Sequence, residues 1–231
     1  MGIITPVGGY IGAKPDFLGA RPGVYRLDEH YELIKRLAWP ITIGTPMAGG
    51  YYAGTIEYGT EAWLGIGGER YHLIVAPKAS GEASTILQYK TSATCDGLRS
   101  NQSSAESIWD GYHNTYTSVI GSSSVHPAAN YCQSLSISGF TDWYLPSYEE
   151  AYLAFTNLLS LPDWQVGGAE EFEETGSSYF DGGFYWSSTG GDCDTNAPAR
   201  GYVVPLQAKL AGMGKTESLW VRAIRRIPFI P

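Results

Sequence analysis

Residues 139–150 read GFTDWYLPSYEE, gathering aromatics, a glycine, a proline and several acids into twelve positions. Such a stretch is a catalytic loop, a metal site or a structural corner. Ser147, followed three residues later by Glu150, has the spacing of a capping box, in which each side chain bonds the other's backbone N–H. Glu149 and Glu150 then occupy a first helical turn, where the helix dipole favours negative charge. Ala151, Tyr152, Phe155, Leu158 and Leu159 recur on one helical face, and Pro162 stands just beyond the end. Pro146 forces Leu145 into extended backbone and so separates the DWY segment from the helix. Adjacent acids on one turn do not face each other across a cleft as a glycosidase pair must. The stretch is a corner.

Working outward, the 219–226 segment LWVRAIRR alternates apolar and charged residues, as a closing strand does. Trp143 and Trp186 lie in β-rich blocks and are expected in the core, with Leu145, Pro146 and Trp220 beside them. Ser187, Ser188 and Thr189 follow a strand and are expected to tie backbone with their hydroxyls, since no basic partner makes any of them a nucleophile. YHLIVA (71–76) and STILQYK (84–90) are strand candidates, and 91–107 is a polar loop. DGYHNTYTSVI (110–120) and HPAANYCQSLS (126–136) carry helical spacing. Pro127 suits a first helical position, with Ala128, Tyr131, Cys132 and Leu135 on one face. His113 and His126 are expected to bond locally.

Upstream, residues 1–22 are rich in Gly and Pro and predict an extended arm. Asp28 can cap a helix bearing Leu27, Tyr31, Ile34 and Leu37, which Pro40 ends. A short helix buries one stripe and needs a partner surface, so the arm and helix have the character of an attachment element.

The 231 residues include 29 Gly, 17 Tyr and only 16% charged residues, a profile of short strands, tight turns and ordered loops. The net charge of −8, with no basic run before RAIRR, argues against nucleic-acid binding and against an anionic membrane surface. No apolar window reaches membrane-spanning length, and the N-terminus lacks a signal-peptide pattern, so synthesis in a cytoplasm is expected. Cys95, Cys132 and Cys193 have no CxxC spacing, which argues against the usual zinc cluster; one disulfide stays open, with buried free thiols as the expectation.

GFTDWYLPSYEE, FYWSST (184–189) and LWVRAIRR together resemble the hallmark blocks of a C-type-lectin-like family, typified by the C-terminal domain of bacterial collagen-like adhesins. YHLIVAPKASGE, DGYHNT and AANYC match as well, so the resemblance covers about residues 50–227. PGVYRLDEHYELIKRLAWP (22–40) resembles a shorter segment found ahead of such domains in phage virion proteins. The resemblance implies an α+β C-type-lectin-like domain of short antiparallel strands, two or more helices and long loops over residues 47–231, preceded by an attachment element over 1–46. Family members often pair a cysteine of the final strand with the one in the AANYC-type helix. Ala223 takes that place here and leaves Cys132 without its expected partner.

In such folds long loops near the final strands build the ligand face, which corresponds here to residues 188–218. Tyr179, Arg200, Tyr202 and Lys209 are the implied contacts because they mix aromatic area with donors. Asp192, Asp194 and Asn196 offer alternating oxygens suited to Ca²⁺, but the signatures of calcium-dependent sugar lectins are missing. A solvated turn is expected there, with no cofactor, no metal and no catalytic residue. The implied protein is a phage virion component, a tail adhesin for a host surface glycan or protein. It would assemble as a homo-oligomer, a trimer by adhesin analogy, and meet other virion proteins through its arm and helix. A purely structural virion subunit is the second expectation. A formylglycine-generating oxidase on a related fold is a third, disfavoured because its reactive cysteine pair is not evident.

Overall fold

RYHLIV, residues 70–75, forms the strand around which the larger unit is built, its Leu73, Ile74 and Val75 wholly buried. The computed structural model of the chain describes residues 9–13, 22–26, 41–60, 67–92, 107–117, 124–159, 183–190, 201–204, 208–209 and 213–229. The chain divides into two compact units, residues 1–42 with 230–231, and residues 43–229.

In the first unit β1 (Gly9–Ala13) and β2 (Pro22–Arg26) pair antiparallel, Gly9 opposite Arg26 and Ala13 opposite Pro22. The expectation of a plain extended arm is therefore corrected. Two short β-prone runs, YI and VY, pair with each other. The predicted helix after Asp28 lies outside the described residues.

The second unit is α+β. Its central sheet has the order β11-β5-β4-β3, all antiparallel, from β3 (Pro46–Met47), β4 (Gly50–Glu57), β5 (Arg70–Val75) and β11 (Ile224–Pro228). A bulge between Tyr52 and Gly54 breaks the β4–β5 ladder, and the carbonyl of the skipped Ala53 accepts a hydrogen bond from Asn157 Nδ2 at 2.7 Å. Asn157 belongs to the long helix (Tyr148–Leu159), which lays Ala151, Ala154, Phe155 and Leu158 onto Ala53, Ile56, Leu73, Val75 and Ile224. Tyr152 is only half-buried, at the margin of the expected stripe, and the side chain of Leu159 lies outside the description. Around this core are a single helical turn, α1 (Lys78–Gly81), and α2 (Pro127–Gln133), with the long helix as α3. In α2 the residues that go fully inside are Ala128, Ala129 and Cys132, while Tyr131 and Leu135 are half-buried.

Two expectations are shortened. Of STILQYK only β6 (Leu87–Gln88) pairs, because its partner β10 (Ser218–Leu219) is itself two residues long. DGYHNT begins as a helical turn and widens into a π-helical one at His113–Thr117. Its polar side chains cause this: Asn114 Nδ2 donates to Ser107 O and Ser188 Oγ, and Thr115 Oγ1 donates to Leu145 O. Buried hydroxyl and amide groups that bond outward pull the backbone off an ideal helical path.

A third sheet, β7 (Gly183–Trp186), β8 (Gly201–Val204) and β9 (Ala208–Lys209), is a meander joined to the rest by a parallel bridge between Tyr185 and Trp220.

Candidate functional site

The corner is where the unit is closed. Ser138 and Gly139, at φ +53° and +82°, make a tight turn in which Ile137 and Phe140 exchange both backbone hydrogen bonds at 3.0 Å. The β3–β4 turn has the same form, with Ala48 at +51° and Gly49 at +84°. Arg225 locks both turns. Its guanidinium makes a bidentate pair with Asp142 at 2.9 and 2.9 Å, donates to Ala48 O at 3.2 Å, and lies 3.9 Å from the Phe140 ring centroid. Next, Tyr144 exchanges both backbone hydrogen bonds with Ile224 on β11, at 2.8 and 3.0 Å. Trp143, Tyr144 and Leu145 are fully buried and Pro146 is buried. Burying one indole stabilises the fold by roughly 4–6 kcal/mol before entropy is counted.

The capping box forms. Ser147 Oγ accepts from Glu150 N at 3.4 Å, and Glu150 Oε2 accepts from Ser147 N at 2.8 Å. Glu150 goes further. Oε2 also takes Gly111 N–H at 2.9 Å, while Oε1 takes the hydroxyls of Tyr58 at 2.5 Å and Tyr144 at 2.8 Å. Arg226 completes the cluster, donating to the Tyr58 oxygen at 2.9 Å and pairing with Asp110 at 2.7 Å. Burial, and after it the Asp110 carboxylate, pushes the Glu150 carboxyl above its ordinary range, while the hydrogen bonds pull it back. Burial raises the Tyr58 hydroxyl too, so it stays protonated and donates. A carboxylate with a tyrosine and an arginine is a proton-transfer set in outline. Here both carboxylate oxygens are occupied by four protein donors in a fully buried position, so the set holds backbone rather than substrate.

FYWSST is bolted to the corner as its hydroxyls suggest. Ser188 N donates to Pro146 O at 2.7 Å. Thr189 Oγ1 accepts from Tyr148 N at the start of α3 and donates to Ser107 O. Trp186 is wholly buried, and its Nε1 donates to Leu87 O at 2.7 Å. Trp220, expected in the core, is half-buried and packs against its edge, because its backbone bridges Phe184 and Trp186 at a sheet margin.

Of the predicted ligand contacts, Tyr179, Asp192, Asp194, Asn196 and Arg200 lie outside the described residues. Tyr202 and Lys209 are brought together: they stand opposite each other on β8 and β9, and Tyr202 also faces Tyr185 on β7. Among the described residues no group of three His, Cys, Asp or Glu is placed to hold a metal. His126 is buried edge-on to Tyr89, and His113 takes part through its backbone N–H to Asp110 Oδ1. No described helix is long and apolar enough to cross a membrane.

Sequence reasoning missed Glu82 and Arg222. VRAIR alternates as a closing strand does, yet its Arg222 is wholly enclosed, its Nε and Nη2 each 2.8 Å from Glu82 Oε2, its Nη1 on Ala76 O. Tyr185 Oη donates to the same Glu82 oxygen at 2.8 Å. The only hint lay in the glutamate ending YHLIVAPKASGE, with no indication of its partner 140 positions on.

Cys132 is a buried free thiol, and burial raises it well above the usual thiol range. Cys95 and Cys193 lie outside the described residues. Iodoacetamide at pH 8, followed by peptide mapping, should therefore leave Cys132 unlabelled in the native protein and label it fully in denaturant. Labelling in the native state would show that this part of the core opens. No protein-family model, curated protein or solved structure matches this chain.

Proposed function

We propose that residues 43–229 form a C-type-lectin-like module serving as a tail-associated adhesin of a phage virion, with a host surface glycan or protein as its ligand. The observation that carries this reading is the meeting of the three resemblance blocks at one joint. Tyr144 bridges Ile224, Ser188 bridges Pro146, and Tyr185 bridges Trp220. Supporting it, the strand pair Tyr202–Lys209 hangs from β7, the strand most firmly tied to that joint. β8 and β9, which border the candidate ligand segments, are thus paired into a sheet, as a binding face requires.

The adhesin reading is tested by adding purified chain to host cells before virions. Adsorption should fall about tenfold or more at saturation. Unchanged adsorption, with antibody label showing the chain enclosed within the particle, would favour the second reading, a structural subunit suited by low charge and abundant Gly and Tyr. Absence of the chain from virions would sink both.

The lectin-like topology has its own test. In the resembled family the final-strand cysteine closes onto the helix cysteine, so Ala223→Cys should form a disulfide with Cys132 under oxidising conditions. The bond should add ~3 kcal/mol to stability, reversibly with dithiothreitol. A variant whose two thiols stay free, or whose bond lowers stability, would count against that topology.

A further inference from the structure

Arg226 lies among three tyrosine rings, its guanidinium carbon 4.3 Å from the Tyr71 centroid, 4.7 Å from Tyr112 and 5.4 Å from Tyr58. Trp109, which precedes the Asp110 that pairs with Arg226, stands in a tight turn held by Ser107 Oγ, which accepts from Trp109 N at 3.1 Å and Asp110 N at 2.8 Å. The indole rests on Gly59, where an added Cβ would come within 2.4 Å of a ring carbon. It is half-buried and packs against the edge of the apolar core, and among the described residues its ring has no aromatic or cationic partner and its Nε1 has no hydrogen bond. The Tyr71 and Tyr112 hydroxyls are likewise without hydrogen bonds there. Asp110 Oδ1 takes His113 N–H and Arg226, which leaves Oδ2 without a hydrogen bond.

We infer that Trp109, Tyr71 and Tyr112, grouped around the Asp110–Arg226 pair, form a saccharide-binding site separate from the β7–β9 loops. The inference deepens the adhesin reading and rests on it for the source of the sugar. The chemistry discriminates among ligands. An aromatic ring held over a backbone glycine is a preorganised platform for the C–H face of a pyranose. Sugar hydroxyls need donors and acceptors together, and the indole N–H, the carboxylate oxygen and two phenols supply both. A phosphate or sulfate is disfavoured, because Arg226 is already neutralised by Asp110 and the net charge is −8.

The test uses fluorescently labelled oligosaccharides released from the host envelope, titrated into the intact 231-residue chain. Trp109→Ala should weaken binding roughly tenfold. The paired Tyr71→Phe, Tyr112→Phe variant keeps the rings on Arg226 and loses only hydroxyls. It should weaken binding about three- to tenfold at an unchanged melting midpoint. Ile86→Ala, at an exposed position just before β6, should bind as the parent, while Tyr202→Ala and Lys209→Ala report separately on the β8–β9 face. If Trp109→Ala does not fold, the tyrosine pair decides the matter alone. Parent-like affinity in the tyrosine pair and in Trp109→Ala overturns the site. Loss confined to Tyr202→Ala or Lys209→Ala also overturns it, while leaving the adhesin reading standing. Cell adsorption without any saccharide binding overturns the ligand class. No adsorption and no saccharide binding overturns both.

Discussion

Replacing Glu150 should cost the protein more stability than any other single carboxylate change. Glu150→Ala would strand four buried donors at once, the Tyr58 and Tyr144 hydroxyls and the Gly111 and Ser147 N–H groups. Each unsatisfied donor costs about 1–3 kcal/mol, partly relieved by water entering the space, so a loss of about 4–6 kcal/mol is expected. Glu150→Gln is the milder change. With its oxygen on the Gly111 and Ser147 N–H groups, the amide turns its NH₂ to the Tyr58 and Tyr144 hydroxyls, which must switch from donating to accepting, so near-isosteric replacement should cost about 1–3 kcal/mol. Urea denaturation of both variants checks this, and an Ala variant as stable as the parent would refute the four-donor arrangement.

The same carboxyl gives a pH signature. Its native pKa is raised by burial and then by Asp110, and that of Glu82 is raised by burial against the opposing pull of Arg222. The folded chain therefore binds these protons more tightly than the unfolded chain. Their contribution is fully present below the ordinary glutamate value and is lost as pH rises through the raised native values. Glu150→Gln should flatten its share of that slope.

The second large effect concerns Glu82 and Arg222. Glu82→Ala leaves an enclosed guanidinium without its counter-charge, and the expected loss is about 3–5 kcal/mol. Arg222→Met should lose a similar amount by stranding the carboxylate. The double variant, Glu82→Met with Arg222→Met, should recover most of the loss, because two apolar chains of similar length need neither partner nor water. A double variant as unstable as the sum of the singles would show that the two groups are not coupled and would overturn their mutual dependence.

These two clusters mark the limit of what was legible in the chain. Ser147 and Glu150 are three residues apart, so their reciprocal cap is a local pattern and could be read directly. The tyrosine that shares Glu150 is 92 positions away, and no local spacing encodes that distance. The same holds for Glu82 and Arg222. Trp143 and Trp186 were legible as core because their burial needs only a β-rich context, and the hydroxyls after Trp186 because they follow a strand end. Trp220 joins the core only from its margin, because burial at a sheet edge depends on which strands lie beyond it. The hairpin of Gly9–Ala13 with Pro22–Arg26 escaped because glycine and proline conceal short runs whose pairing partner supplies most of their order. Of the candidate ligand face, the family resemblance assigned Tyr202 and Lys209 to one stretch, but only the β8–β9 register sets them opposite each other.

The joint at the corner is largely main chain: Tyr144 with Ile224, Ser188 with Pro146, Trp186 with Trp220. Amide and carbonyl are common to every residue, so such fastenings survive replacement of almost any side chain that keeps the local shape. Lineages sharing this architecture can therefore drift until their letters no longer align. What should persist between them is a sparse cipher: a glutamate one turn into the helix, a glycine facing it, and an arginine deep in the last segment.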